Sequence, residues 1–461
     1  MPVFEHTSRF PFPAEEVFAW HARPLALERL TPPWERFVVE RRVGGIRDGG
    51  EVWIRQRFGG LWFRWHSRHS GYVEGRQFVD AAIRGPFPRW EHTHTVTPEG
   101  PAESTLRDHI VYTFPLSSVG ELLLGRGVHR RLDRAFHYRH DTVRRDLSRH
   151  HRFTDRGPLR VAISGASGFL GSNLAAFLST CGHAVYRLVR RETDAPNQIT
   201  WSPAAGKIDA AALERMDAVV HLSGESLEHG RWTPKRKEAI RGSRVESTRL
   251  LARTLAGLRD PPKVFLSVSA VGFYGNRGEQ TLTETSAAGS GFLTDTCRAW
   301  EDAAEPAREA GIRVVHPRVG IVLSPAAGLL ARLLRAGFPA RFGSGKQWMS
   351  WVSLDDVLYA LHHAMFTDTL QGPVNVVSPQ PARNEDLAAT LGRVLRRPGL
   401  PIPAGLLRAA FGEQGASLLD SARVVPAKLV ATDYRFADGD LEAALRRCLG
   451  REVPRSREKG L

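Results

Sequence analysis

Apolar and polar residues alternate along Phe4–Phe10, Arg36–Val43, Glu51–Arg57, Leu61–His69, Phe78–Ile83, Trp90–Val96 and Ser104–Phe114. A period of two predicts half-buried β-strands. After the first of them the chain reopens at Pro13 with Glu15 and Glu16 close behind, acids that suit the positive end of a helix dipole, and two short helices are predicted there. Later the period changes. Val128, Leu132, Ala135, Phe136, Val143 and Leu147 share one face at helical spacing and predict a long helix. Asp155-Arg-Gly-Pro158 ends it as a linker. Beyond the linker, short and nearly unbroken apolar runs at Leu159–Ser164, His183–Arg190 and Asp217–Gly224, the last ending in a small-residue loop, predict strands buried on both faces of a parallel sheet. The expected domains are therefore residues 1–155, an α+β unit, and residues 158–461, an α/β unit with a helical segment over about 400–449.

The first of those buried runs leads into Gly165-Ala-Ser-Gly-Phe-Leu-Gly171, and helical spacing of Leu174, Phe177 and Leu178 follows. Glycines spaced in this way between strand and helix point to a dinucleotide. Gly165 allows the sharp turn, Gly168 lets backbone approach a pyrophosphate, and Gly171 lets the helix pack closely. Free N–H groups at the helix start would face the phosphates, which makes Gly165, Ser167, Gly168, Phe169, Leu170 and Gly171 the candidate contacts. Arg190 and Arg191 follow the second run, where an acid would select NAD. A guanidinium there suits a 2′-phosphate, so the expected cofactor is NADP(H), with Arg190 the principal partner. His221, Leu222, Ser223 and Gly224 close the third run at the sheet edge where ligands sit, and are further cofactor candidates.

Composition narrows the function classes. Of 461 residues, 42% are hydrophobic and 25% charged, as in ordinary globular proteins with two or three domains. The net charge of +15 raises nucleic-acid binding, but only seven of the 64 basic residues are Lys and the excess is diffuse, densest over Arg126–Arg152. That distribution reads as compositional bias, with Arg130, Arg131, Arg134, Arg144, Arg145, His150 and His151 forming a solvated helix face, and no nucleic-acid partner is expected. Three scattered cysteines, Cys181, Cys297 and Cys448, read as reduced thiols with no metal site. With no transmembrane run and no apolar leader, a cytoplasmic location is expected.

The order of elements in the first 155 residues, with Phe12-Pro-Ala-Glu-Glu-Val-Phe18, resembles the START-like polyketide-cyclase and lipid-transfer (SRPBCC) superfamily. That resemblance implies a helix-grip fold around an apolar cavity for a hydrophobic ligand, with Trp53, Phe58, Trp62, Phe63 and Trp65 as candidate lining. The rest resembles the extended short-chain dehydrogenase/reductase superfamily. Gly230-Arg-Trp-Thr-Pro-Lys-Arg-Lys237, Ser269-Ala-Val-Gly-Phe-Tyr-Gly275, Arg298-Ala-Trp-Glu301 and Gly343-Ser-Gly-Lys-Gln-Trp348 sharpen this to its atypical epimerase-family group of unknown substrate. The implied fold is α/β, a Rossmann-type doubly wound parallel sheet with a smaller C-terminal substrate lobe.

In that superfamily a Tyr-x-x-x-Lys pair moves the proton, the lysine charge making a phenol of pKa about 10 usable near neutrality. Counting from Glu301 puts Leu293 and Cys297 at those two positions, and neither can do that work. Ser269 matches the superfamily's active-site serine, and Tyr274 is the nearby phenol; both are catalytic candidates, although Tyr274 also reads as a packed turn aromatic. Arg231, Trp232 and Lys237, and separately Lys346, Gln347 and Trp348 in a mobile loop, are candidate contacts for an anionic or ring-bearing substrate. Trp351, Val352, Asp355 and Asp356 read as a helix start capped by Ser353, and Gly405–Leu419 as one helical stretch. Relatives imply a homodimer through Lys235–Leu255 and Phe292–Ala310. Three functions are carried forward: an NADP(H)-dependent oxidoreductase or epimerase/dehydratase-family enzyme, a non-catalytic NADPH or metabolite sensor, and a nucleotide-sugar epimerase.

Overall fold

The first strand, β1 (Val3–Phe10), buries Phe4 and Phe10. Two short helices, α1 (Ala14–Ala22) and α2 (Ala26–Leu30), follow it, and Glu15 and Glu16 do fall in the first turn of α1. Then come β2 (Phe37–Val43), β3 (Glu51–Phe58), β4 (Leu61–Val73), β5 (Gln77–Arg84), β6 (Arg89–Gly100), β7 (Glu103–Thr113) and the long helix α3 (Ser117–His151). The seven strands make one antiparallel sheet in the order β1-β7-β6-β5-β4-β3-β2. Val128 and Phe136 of α3 join Phe4, Ile110, Tyr112 and Phe114 in one apolar cluster, and Val143 and Leu147 join Phe10, Phe18, Trp20 and Phe78 in another. One stripe of the helix thus serves two stretches of core.

This computed structural model describes residues 1–58, 60–227 and 230–451, so the last ten residues of the expected second domain, 452–461, lie outside it. Contacts divide the chain into two compact units, one built mainly from Met1–Asp155 and one from Arg156–Leu178 with His183–Arg446.

The second unit opens with β8 (Arg160–Ser164), α4 (Phe169–Thr180), β9 (Ala184–Val189), β10 (Gln198–Ser202), β11 (Lys207–Ile208), β12 (Ala218–His221), α5 (Pro234–Ala256), β13 (Val264–Ser267) and β14 (Ser269–Ala270). It continues through β15 (Thr281–Leu282), α6 (Phe292–Asp302), α7 (Glu305–Glu309), β16 (Arg313–Val319), β17 (Ile321–Leu323), α8 (Gly328–Ala336), β18 (Ala340–Phe342), β19 (Trp348–Met349), β20 (Trp351–Ser353), α9 (Leu354–Phe366) and β21 (Gly372–Val376). The main sheet runs β11-β10-β9-β8-β12-β13-β16-β14, with β21 also on β16. Its pairs are parallel apart from β11 on β10. The chain builds outward from β8 in one direction and then from β12 in the other, so the loops after these two neighbours meet at a topological switch point. Val161, Ala162 and Ile163 are fully buried, as an apolar run covered on both faces requires.

Several expected boundaries shift. Trp351 and Val352 form the short strand β20, because they pair with Ile321 and Val322. The helix starts one residue after the cap Ser353, which accepts from the Asp356 N–H. Gly405–Leu419 divides into α11 (Ala404–Phe411) and α12 (Glu413–Ser417), once α10 (Asn384–Leu395) has intervened, because Gly412 turns the chain at a φ of +61°. Phe292–Ala310 divides likewise into α6 and α7, with Pro306 opening the second piece.

Candidate functional site

Gly165 takes a φ of +70°, and a Cβ on it would lie 2.8–2.9 Å from backbone atoms of Leu222 and Ser223. The turn after β8 therefore presses on the loop after β12, and no side chain fits between. Gly171 is as constrained: its Cβ would sit 2.2 Å from the Gly165 carbonyl oxygen. What it allows is the approach of α4 to the turn, rather than to the strand. Gly168 donates to the Gly165 carbonyl at 2.9 Å and is exposed together with Ser167, while Phe169 and Leu170 are half-buried at the helix start. Open backbone at a helix N-terminus, kept bare of side chains, fits a dinucleotide pyrophosphate. Arg190 and Arg191 lie exposed just past the end of β9.

His221 plays a different part from the one its position suggests. Its ring is fully buried, Nδ1 at 2.6 Å from Ser164 Oγ and Nε2 at 3.0 Å from Ser247 Oγ, so it ties β8 and β12 to α5. Its side chain has no face toward a ligand. Leu222 and Ser223 are half-buried and Gly224 exposed, with Arg244 packed 3.1 Å from where a Gly224 Cβ would stand.

Ser269 stands at the start of β14, 3% exposed, its hydroxyl without a hydrogen-bond partner among the described residues. Beside it is Cys297, whose thiol burial pushes up to about 11, the Glu301 charge adding to the effect. At neutral pH this is a thiol and not a nucleophile. Leu293 packs over Gly272 on the same side. Tyr274, the second catalytic candidate, is withdrawn: it is fully buried, its hydroxyl donating to Asn375 Oδ1 at 2.7 Å and accepting from Arg318 at 3.0 Å. Burial raises its pKa, partly offset by the Arg318 charge. Arg318 forks onto both Glu301 oxygens at 2.9 and 2.7 Å and lies 3.4 Å over the Phe273 ring. Asn375 in turn donates its N–H to Glu284 at 3.0 Å. The phenol is thus the centre of a buried polar chain, which is the packed-aromatic alternative.

The two substrate clusters are also engaged within the fold. Arg231 donates to the carbonyls of Ala409 and Ala410, Lys237 pairs with Glu413, and Trp232 meets Phe292 edge-on at 5.3 Å. These cations hold α11 and α12 in place. Gln347 is buried and donates to the Phe342 and Leu418 carbonyls at 3.2 Å. Trp348 donates to Glu279 at 2.8 Å and lies against Arg383 and Arg423 at 4.7 and 4.6 Å. The loop read as mobile is pinned by β19, which pairs with Ala382–Arg383. Only Lys346 of the three is exposed.

In the N-terminal unit a cavity of about 370 Å³ is lined by Phe58, Phe63 and Trp65 among others. Trp53 stacks on His66 at 4.3 Å instead, and Trp62 is 47% exposed. Arg131, expected on a solvated face, lines the cavity and pairs with Glu35. Among the described residues no helix is long and apolar enough to cross a membrane.

Comparison with known proteins places the second unit. An epimerase family protein of Mycobacterium bovis is 40% identical over 290 residues, covering 62% of this chain and 96% of the relative. The chain belongs to the epimerase family. The profile of the NAD dependent epimerase/dehydratase family matches residues 161–376 of this epimerase-family protein, and a domain of unknown function, DUF1731, matches 402–448. The human family member SDR39U1 is 33% identical over 296 residues, 62% of this chain and 99% of its own. Its structure, solved with NADPH, superposes with a TM-score of 0.58 at 32% identity over 63% of this chain and 99% of that one. A structure described as the nucleoside-diphosphate sugar epimerase of Corynebacterium glutamicum covers 97% of this chain and 90% of its own, with TM-score 0.80 and 32% identity. The epimerase-family unit is thus a Rossmann-like α/β nucleotide-binding fold. Reading the sequence missed the Ser164–His221–Ser247 clamp and the Glu301–Arg318–Tyr274–Asn375 chain, whose partners lie between 17 and 101 residues apart and leave no periodic signal.

Proposed function

We propose that the epimerase-family unit, residues 158–461 with its helical segment over about 400–449, binds NADP(H) across Gly165–Gly171 and is an oxidoreductase or epimerase/dehydratase-type enzyme for a small molecule. The observation that carries this is the pair of glycines whose Cβ atoms would collide at 2.2–2.9 Å, because they keep bare backbone at the start of α4 where a pyrophosphate would rest. Backbone N–H groups of residues 169–171 hold the phosphates, Arg190 meets the 2′-phosphate, and the loop at 222–224 bounds the other side. Bound nicotinamide supplies hydride transfer. Ser269, buried beside Cys297, donates to the substrate oxygen, and Leu293 with Cys297 keeps water from it. The NADPH in the human relative's structure supports the cofactor. Tightness for NADPH tests the reading: titration followed by fluorescence is expected to show NADPH favoured over NADH, and Arg190→Ala to weaken NADPH about ten- to a hundredfold, the worth of one charge-assisted bond. Equal affinities that Arg190→Ala leaves unchanged would overturn it.

A second reading, an NADP(H) or metabolite sensor without turnover, is favoured by the enclosed Tyr274 phenol and the raised Cys297 thiol, since neither delivers a proton. Nucleotide-sugar epimerisation, the description of the Corynebacterium structure, ranks behind both because the Tyr-Lys relay is absent. For residues 1–155 we propose a START-like helix-grip domain holding a hydrophobic ligand, supported by the order β1-α1-α2-β2 to β7-α3 and by the aromatic cavity.

A further inference from the structure

The cavity of the N-terminal unit has one polar wall. His92 and His94, two residues apart on β6, point to the same face, and both line the cavity. Asp108 of β7 is the cross-strand partner of His94, and His6 of β1 is the partner of Asp108 on its other side. His92 Nε2 and His94 Nδ1 lie 2.7 and 2.6 Å from the same carboxylate oxygen, Asp108 Oδ1, and the three atoms fall within 4.8 Å of one another. The other oxygen, Oδ2, is held at 2.5 Å by His140 Nε2 from α3. Side-chain exposures of 4%, 11%, 4% and 3% for His92, His94, Asp108 and His140 put the group out of bulk water.

A purely hydrogen-bonded network accounts for His92 and His140. It accounts less well for His94, whose buried Nδ1 lies 2.6 Å from the same Asp108 oxygen that His92 Nε2 already holds at 2.7 Å. Two ring nitrogens converging on one carboxylate oxygen set three ligand atoms around one point, the arrangement a cation takes. We propose that His92 Nε2, His94 Nδ1 and Asp108 Oδ1 bind one divalent transition-metal ion of the Zn²⁺ or Fe²⁺ class at the wall of this cavity.

Two imidazoles and one carboxylate select such ions over Ca²⁺ or Mg²⁺, which take oxygen ligands. With ligand bonds of about 2.0–2.1 Å, tetrahedral ligand atoms stand about 3.3 Å apart, so the trio opens by about 0.6 Å on loading. Side-chain rotation alone covers that distance. The rings are already oriented: His94 stacks on Phe78 at 4.2 Å and 16°, and His92 meets Phe136 edge-on at 5.2 Å. His140 orients the carboxylate from behind, the usual work of a residue beyond the ligand shell. Three protein ligands leave a position open toward the cavity. Arg139 lines the same cavity, its Nε lacking a hydrogen-bond partner among the described residues. Its charge opposes the ion and favours an anionic group as the fourth ligand.

The test uses the full chain, stripped with a chelator and titrated with Co²⁺ as an optical probe and Zn²⁺ in calorimetry. Expected are visible d–d absorption, one equivalent per chain, and displacement of Co²⁺ by Zn²⁺. His94→Gln and His92→Gln should each weaken binding at least tenfold while circular dichroism stays that of the parent, and His140→Ala, a positioning change, should weaken it about ten- to a hundredfold. Because Asp108→Asn places an amide in a buried site and can unfold the unit, the histidine variants decide the location. No Co²⁺ spectrum and no heat with the parent protein overturns the proposal, as does unaltered binding in both folded glutamine variants.

Discussion

His221 is neutral in the folded chain because burial, with the Arg244 charge adding to it, takes its pKa from 6.5 to about 3. The unfolded chain binds one more proton between those two values. The contribution of the neutral ring is therefore whole above pH 6.5 and is lost progressively as pH falls toward 3, by up to about 1.4 kcal/mol per pH unit. Denaturant midpoints measured from pH 8 down through about three units of acidification should fall for the parent, and His221→Gln should flatten the fall by about one proton. A residue's place was often readable where its partners were not. His221 was legible as part of a buried strand and its closing loop, but its partners Ser164 and Ser247, 57 and 26 residues away, were not. Tyr274 and His94 share that limit: their environment comes from other strands, and sequence distance hides it.

At the scale of elements, α2 and α3 of the N-terminal unit are joined by Arg29 and Asp146, two hydrogen bonds of 2.8 and 2.7 Å with side-chain exposures of 1% and 0%. Removing one member breaks a charge pair held out of water. Asp146→Ala is expected to destabilise this unit by about 3–5 kcal/mol, read by chemical denaturation, whereas Arg29→Met with Asp146→Leu should recover much of the loss. Alternation made the seven antiparallel strands legible to within a few residues, most clearly where buried and exposed positions take turns as along β7. The failures have local causes. Trp351 and Val352 are both buried, so no alternation marks β20 as a strand. Gly412 and Pro306 are breakers inside otherwise helical spacing: Gly412 ends α11, and Pro306, in the first turn of α7, cannot continue α6.

At the scale of the whole chain, the two units have separate cores and, on the readings above, separate ligands. NADPH at about a hundred times its Kd adds about 2.7 kcal/mol to whatever unfolds with its site. Hydrogen exchange should then slow across residues 160–224 and stay unchanged in the strands of Val3–Thr113; equal slowing in both would mean that the units unfold as one. The bare glycine at 165 has one more consequence. Because a Cβ at 165 would stand only 2.8–2.9 Å from the backbone of Leu222 and Ser223, the first turn and the second loop are packed backbone against backbone. They form a rigid joint, so a molecule settling on one is felt mechanically at the other, and sequence drift at either is constrained to pairs of changes that preserve the fit.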